Sequence, residues 1–504
     1  MYLLGIDIGT SSVKVSVVNA QTQQSVASAF YPETEAEIIS LKTGWAEQDP
    51  DTWWAYLQQA LMKANVSGKY DPKEIVAVGI AYQMHGLVIV NQQQLSLRNS
   101  IIWCDSRAVN YGENAFHAIG EEKCLCNLLN SPGNFTASKL AWVKENEPKT
   151  FKQIYKIMLP GDFIAMRLTG EITTTPSALS EGVLWDFLQN NISEDVIKYF
   201  GFDKNLIPEI KNVFSTHGFL KKDIADKLGL KQGIPVSYKA GDQLNNALSL
   251  NVLQPGEVAA TAGTSGVIYA VSDKLVYDEQ SRVNSFAHVN YKTFSPLEDN
   301  IKSEIEKRIG VLLCINGTGI MNSWIKKLIG LNKTYQQLNA EAAKISAGSD
   351  GLFVIPFGNG AERMLNNKIP GASIQNIDLN KHTPAHVYRA VHEGIAYAFR
   401  YGLDIMRENN IEPNIIRAGK ANMFLSDVFI NAFVNITSTS VELFENDGSI
   451  GAALGAGIGA KIYSTEKEAF KNMKRLKIVE PEENNKYDTY YKKWKEELMK
   501  KLDL

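Results

Sequence analysis

The chain has 504 residues, 44% hydrophobic and 21% charged, with 52 basic against 55 acidic residues and a formal net charge of −3. That length suits two domains of roughly 250 residues, each with its own core. The near balance of charge argues against a nucleic acid or a membrane surface as partner.

Residues 3 to 8 form an apolar run around one acid, Leu3-Leu4-Gly5-Ile6-Asp7-Ile8. The turn Gly9-Thr10-Ser11-Ser12 follows, and a second apolar run returns from Val13 to Val18. Short, β-branched and bounded by Gly, these runs predict a tight β-hairpin with Asp7 at its mouth. The turn offers close backbone approach, N–H groups and hydroxyls that suit phosphate oxygens. Asp7 stands where a carboxylate can hold a hydrated Mg²⁺ beside them. An ordinary hairpin whose acid caps its own turn accounts for these residues equally well. Lys14 can reach the same charges, or it can be an outward-facing strand lysine.

Asp49-Pro50 reads as an N-cap and first helical residue. Trp53, Leu57 and Leu61 then give one apolar stripe of a helix packed on a sheet. Residues 75–81 and 86–90 read as strands around the Gln83-Met84-His85 turn, and 101–103 as a short strand running into Asp105 and Arg107. His85 reads as a satisfied core histidine unless another signal bears on it. Residues 137–200 read as mostly helical, with breaks at 159–161 and 173–176. An interdomain hinge is expected near residues 233–241. Gly241-Asp242-Gln243 precedes a helical run from Leu244 to Leu250, where Asp242 can serve simply as the helix N-cap.

Residues 258–271 repeat the opening pattern, an apolar strand, Gly263-Thr264-Ser265, and an apolar return. Thr10 and Thr264 are 264 − 10 = 254 residues apart, about half of the 504-residue chain. Two like hairpins heading two like halves predict a duplicated α/β fold with a site in the cleft between them. In the second half, strands are expected at 308–314 and 351–356, and helices at 320–328 and 386–408. The charged segment Leu297 to Lys307 reads as a solvated insert. His382 and His386 lie four apart, but Thr383-Pro384 starts the helix after His382, so the helical metal-pair geometry fails. Gly451, Gly455 and Gly459 share one face of a tightly packed helix. That segment, 450–460, is too short and too rich in small residues to span a bilayer. Tyr487, Tyr491, Trp494, Leu498 and Leu502 form the apolar face of a terminal helix. No signal peptide precedes the first strand. Cys104, Cys124, Cys126 and Cys314 fit neither a zinc site nor a disulfide framework. Both observations point to the cytoplasm.

Seven segments in order now carry a resemblance. They are Asp7-Ile-Gly-Thr-Ser-Ser12, Gly44 to Trp54, Gln83-Met-His-Gly86, Trp103-Cys-Asp-Ser-Arg107, Gly241-Asp-Gln243, Gly263-Thr-Ser-Gly266 and the small-residue run Gly448 to Gly459. On these, Leu3 to about Gly459 resembles the FGGY family of carbohydrate kinases, and is most similar to its xylulokinase branch. The resemblance implies a two-domain actin-like ATPase fold of ribonuclease H-like type, with a duplicated domain and an interdomain cleft. Residues 1–243 would form the sugar-binding side and 244–504 the nucleotide-binding side.

The implied substrates are ATP with Mg²⁺ and a small sugar, D-xylulose first, with glycerol, ribulose, gluconate or erythritol as alternatives. A non-kinase ATPase of the same fold is the rival of another class. Asp242 would be the general base. Thr10, Ser11, Ser12, Lys14, Gly263, Thr264 and Ser265 would hold phosphates, and Asp7 with Asp242 would serve the metal. Met84, His85, Gly86, Trp103, Arg107, Asp242 and Gln243 would line the sugar site. Gly419, Lys420 and Asn422 would lie on the adenosine side. The sequence departs from the family pattern at Gln243, Ala418 and Lys420. Gly358 to Arg363 resembles the family's Gly-Glu-Arg loop with an altered start, and reads equally well as a surface turn. A homodimer is left open.

Overall fold

Both Gly-Thr-Ser hairpins start a mixed sheet, and the two sheets share one plan. The computed structural model describes all residues except 293–306, 331, 484–485 and 504. The first sheet comprises β1 (Tyr2–Ile8), β2 (Val13–Asn19), β3 (Ser25–Tyr31), β4 (Ile75–Tyr82), β5 (Phe214–Phe219) and β6 (Pro235–Gly241), in the order β5-β6-β4-β1-β2-β3. The second comprises β7 (Glu257–Ala262), β8 (Ser265–Ser272), β9 (Asn284–Ala287), β10 (Ile309–Asn316), β11 (Ile415–Gly419), β12 (Val441–Phe444) and β13 (Arg475–Val479), in the order β9-β10-β8-β7-β11-β12-β13. In each sheet three antiparallel strands from the hairpin side meet two parallel strands and a final antiparallel one. The expected duplication is therefore present, with β9 as an extra edge strand of the second copy.

The helices that position the cleft are α1 (Pro50–Asn65), α2 (Thr136–Asn146), α3 (Pro160–Thr169), α4 (Pro176–Glu181), α5 (Asp242–Ser249), α6 (Gly319–Ile329), α7 (Pro384–Glu408), α8 (Asp427–Thr437), α9 (Gly448–Gly459) and α10 (Tyr487–Lys501). Asp49 caps α1, accepting from the Asp51 N–H at 3.0 Å, and Trp53, Leu57 and Leu61 are buried as the stripe predicts. α1 and α3 cover one face of the first sheet. The opposite face is covered by α9, a helix of the second half, while α5 leaves the first half to pack on β7, β8 and α9. Gly5 and Gly79 pair in register on β1 and β4. A Cβ at Gly5 would lie 1.7 Å from the Ser449 carbonyl oxygen, and one at Gly79 would lie 2.0 Å from that of Ala452. Only glycine permits this approach of helix to sheet. The small face of α9 is packed as expected, with Gly451 on Ser249, Gly455 on Tyr238 and Gly459 on Ser237.

Some expectations need correction. The segment read as a hinge is β6, a strand inside the first sheet. The boundary expected between residues 243 and 244 falls within α5. Residues 137–200 hold short strands besides helices, and Leu159-Pro160-Gly161 begins α3 instead of breaking a helix. The insert expected from Leu297 to Lys307 lies outside the described residues, apart from Lys307. The terminal helix docks as predicted: Trp494 is fully buried and its Nε1 donates to the Val354 carbonyl at 2.8 Å. Thr383 caps α7, leaving His382 outside it. No helix among the described residues is long and apolar enough to cross a membrane.

Candidate active site

The first turn, residues 9–12, is closed by the Gly9 N–H donating to the Ser12 carbonyl at 3.0 Å. Gln48 Nε2 donates to the Thr10 carbonyl at 2.8 Å, and Gln83 Nε2 to Gln48 Oε1 at 3.0 Å. The Thr10 hydroxyl donates to Gln83 Oε1 at 3.3 Å and accepts from the half-exposed Trp103 Nε1 at 2.9 Å. Its one proton is therefore used inside the protein, which leaves the Thr10 N–H as its donor to a ligand. Trp103, expected on the sugar side, meets the 9–12 turn.

Asp7 faces Lys14 across the β1–β2 ladder. The Lys14 ammonium pairs with Asp447 of the second half. Asp447 also caps α9, accepting from the Ser449 N–H at 3.0 Å. The Asp7 carboxyl lies so close to Gly448 that a Cβ there would fall 2.3 Å from Oδ2. Burial, then the Asp447 charge, push Asp7 up to about 6 against the opposing pull of Lys14. Asp242 is the first residue of α5, and the cap position belongs to Gly241, which makes no side-chain cap. The helix-cap account of Asp242 thus fails. Burial and the Asp7 charge push Asp242 up to about 7, opposed by hydrogen bonds from the Gln243 main chain and side chain. Two half-buried carboxylates thus converge between the halves, and their hard oxygen donors suit a hydrated divalent cation. No group of three or more His, Cys, Asp or Glu that could hold a metal occurs among the described residues.

His85 sits in the left-handed region at φ 62°. Its N–H donates to Glu181 Oε2 at 3.2 Å, and its Nδ1 lies 2.9 Å from the Glu181 carbonyl. Its own carbonyl accepts from Lys139 Nζ at 2.8 Å. Burial, with the Lys139 charge, lowers His85 to about 3, so the ring is neutral. Burial likewise lowers Lys139 to about 7. The buried Met84 abuts Gly241, where a Cβ would meet its Cγ at 2.6 Å. Gly86 is buried against Pro160, so it seats the turn on α3 and is not a pocket wall. Arg107 is a further correction. Its side chain is 1% exposed, paired with Asp105 and Glu47 at 2.6 Å each and stacked 3.8 Å over Trp45. That guanidinium braces the wall from behind and is not open to a sugar.

The second turn is held by Thr318 Oγ1 and the Gly319 N–H, each 2.7 Å from the Gly263 carbonyl. Thr264 and Ser265 are exposed beside the N-terminus of α6, and Ser265 Oγ donates to Asn316 Oδ1 at 3.2 Å. Asn422 approaches Gly263 closely enough that a Cβ there would lie 3.5 Å from its Nδ2. Gly419 abuts Asn446, the neighbour of Asp447, which links the Gly419 turn to Lys14. Lys420 is exposed. The sequence reading missed the 316–319 loop, Asp447, Lys139, Tyr82 and Glu181. Of these only Asp447 carried a local signal, an acid just before a small-residue helix. Arg363 lies 5.2 Å over the Phe135 ring of the first half, so the loop ending there is not merely a surface turn.

Residues 2–249 match the FGGY family of carbohydrate kinases, N-terminal domain, and residues 258–460 match its C-terminal domain. The chain is 28% identical over 473 residues to a xylulose kinase of Escherichia coli (strain K12), covering 93% of this chain and 91% of the relative. A crystal structure of xylulose kinase from Rhodospirillum rubrum superposes with TM-score 0.88 at 23% identity, covering 100% and 99% of the two chains. Plasmodium falciparum glycerol kinase with ADP superposes with TM-score 0.86 at 22% identity, covering 100% and 97%. These two structures speak for the fold, a two-domain actin-like ATPase architecture. Matched along both halves, the chain belongs to the FGGY family of carbohydrate kinases.

Proposed function

We propose that the protein transfers the γ-phosphoryl group of ATP to the terminal hydroxyl of D-xylulose in the cytoplasm, giving D-xylulose 5-phosphate and ADP. The reading is carried by Asp242, which stands between the His85 turn and Asp7 beside the first phosphate turn. The full-length likeness to a xylulose kinase supports the choice of sugar. The half that ends in α5 supplies the sugar site and the first phosphate turn, and the second half supplies the second phosphate turn and the adenosine side. The sugar hydroxyl gives its proton to Asp242 as its oxygen bonds to the γ-phosphorus, and the bond to the β-phosphate bridging oxygen breaks. N–H groups of the 9–12 and 263–265 turns hold phosphate oxygens. Lys14 exchanges Asp447 for the same charge. Asp7 would hold Mg²⁺, which would supply charge neutralisation on the transferring group. Met84 and Gln243 fix Asp242, while Trp103 orders the turn. A coupled ADP-release assay over D-xylulose, D-ribulose, glycerol, erythritol and D-gluconate tests this. The highest kcat/KM is expected on D-xylulose. A higher value on another substrate overturns the sugar assignment, and sugar-independent ADP release at the same rate overturns the kinase reading.

A further inference from the structure

Glu181 is 0% exposed and makes no ion pair with a lysine or arginine among the described residues. A buried carboxyl without a cation is costly to the fold. Its polar contacts converge on one place. Oε2 accepts the His85 N–H at 3.2 Å, and Oε1 accepts the Tyr82 hydroxyl at 2.7 Å. The Glu181 main-chain carbonyl faces His85 Nδ1 at 2.9 Å. A carbonyl has no proton to give, so Nδ1 carries the hydrogen and Nε2 is left as a bare acceptor. Nε2 has no partner among the described residues and is not among the buried unpaired nitrogens. Phe135 and Phe286 pack on the ring with centroids 4.7 and 5.6 Å away, so its rotation is blocked.

From this arrangement we infer that Glu181 is a positioning residue for sugar recognition, one that fixes His85 as a hydrogen-bond acceptor only. The inference rests on the sugar-kinase reading of this cleft. A sugar hydroxyl at Nε2 must then donate. The carboxylate of a sugar acid placed there would meet a lone pair and receive no hydrogen bond from the ring. Neutral ketoses and polyols are therefore favoured over aldonates at this position.

A double-mutant cycle on the full chain tests the inference, using D-xylulose and ATP. Glu181→Ala is expected to raise the sugar KM about tenfold while the ATP KM stays within about twofold. Because Glu181 acts through His85, Glu181→Ala/His85→Ala should exceed His85→Ala alone by no more than about twofold. Multiplying effects in the double variant, or an ATP KM that rises in step with the sugar KM, would overturn it. If circular dichroism finds Glu181→Ala unfolded, Tyr82→Phe, which removes only the hydroxyl on Oε1, takes its place. The same split of about threefold and the same non-additivity are then expected, and multiplicative effects again overturn it. Should wild type prefer another sugar of the panel, the xylulose reading falls, and the cycle run on that sugar still decides the role of Glu181.

Discussion

At the scale of single residues, Asp242 and Arg107 separate two kinds of buried charge. Asp242 has no cation beside it among the described residues and is pushed up to about 7, chiefly by burial. A base must be ionised to accept a proton, so kcat/KM should fall as pH drops through about 7, with a slope of one decade per unit. Asp242→Asn should lower turnover by roughly 10²–10⁴-fold and lose that acid limb while still binding ATP. A variant keeping more than about a third of wild-type turnover would remove the base assignment. The stability consequence has the opposite sense. A carboxyl raised above its unfolded value of 3.8 stabilises the fold below that value, and this contribution is lost as pH rises through about 7. Asp242→Asn should therefore melt higher than wild type at pH 8 and no higher at pH 4. Arg107 is the contrary case, a guanidinium fully engaged by Asp105 and Glu47. Arg107→Ala strands the buried Asp105, while Glu47 keeps Arg98, and should cost about 3–5 kcal/mol, seen as a lower melting temperature. Unchanged melting with a raised sugar KM would return Arg107 to the pocket. Asp242 stood out only through the family resemblance, because Gly-Asp-Gln between a strand and a helix reads locally as a helix cap. Arg107 was misread because its partner Glu47 and its stacking partners Trp45 and Trp142 lie up to 62 residues away in sequence and meet it only in the fold.

At the scale of elements, the meeting of α9 with the first sheet sets how the halves join. The 448–459 helix was legible as closely packed from its glycines spaced four apart. Its partner was not legible, because nothing near residue 450 says that β1 and β4, hundreds of residues earlier, supply the matching Gly5 and Gly79. Gly79→Ala puts a methyl 2.0 Å from the Ala452 carbonyl oxygen, on rigid backbone that cannot yield. It should destabilise by about 2–3 kcal/mol, read as a shift in the denaturation midpoint. A neutral result would mean that the helix lies farther from the sheet than described. The hinge at 233–241 was misplaced for a related reason. Gly233 and Pro235 are turn signals, but Val236 to Gly241 pairs with β4 in the centre of the sheet. Local punctuation cannot tell a linker from the entry to a buried parallel strand.

At the scale of the whole molecule, two seams hold the halves together. One is the layer of α5 and α9 between the sheets. The other lies beside the His85 ring, where Asn130 donates to the Ser285 carbonyl at 2.6 Å and accepts its N–H at 3.0 Å. There the Ala287 N–H also donates to Ser180 Oγ at 2.9 Å. Two turns on separate halves can meet one nucleotide only if the halves close on it. D-xylulose with a non-hydrolysable ATP analogue should reduce the radius of gyration in small-angle scattering, and glycerol or gluconate with the analogue should do so weakly. An unchanged radius with D-xylulose would count against closure. The duplication itself was legible from two short hairpin signatures, whereas the seams depend on side chains such as Asn130 that carry no signal in sequence. The central claim is phosphoryl transfer to a sugar carbon's hydroxyl, and phosphorus NMR of the protein with D-xylulose, ATP and Mg²⁺ tests it most directly. The account predicts a phosphomonoester signal on C5 growing in step with ADP. Inorganic phosphate growing with ADP, with no sugar ester, would contradict it.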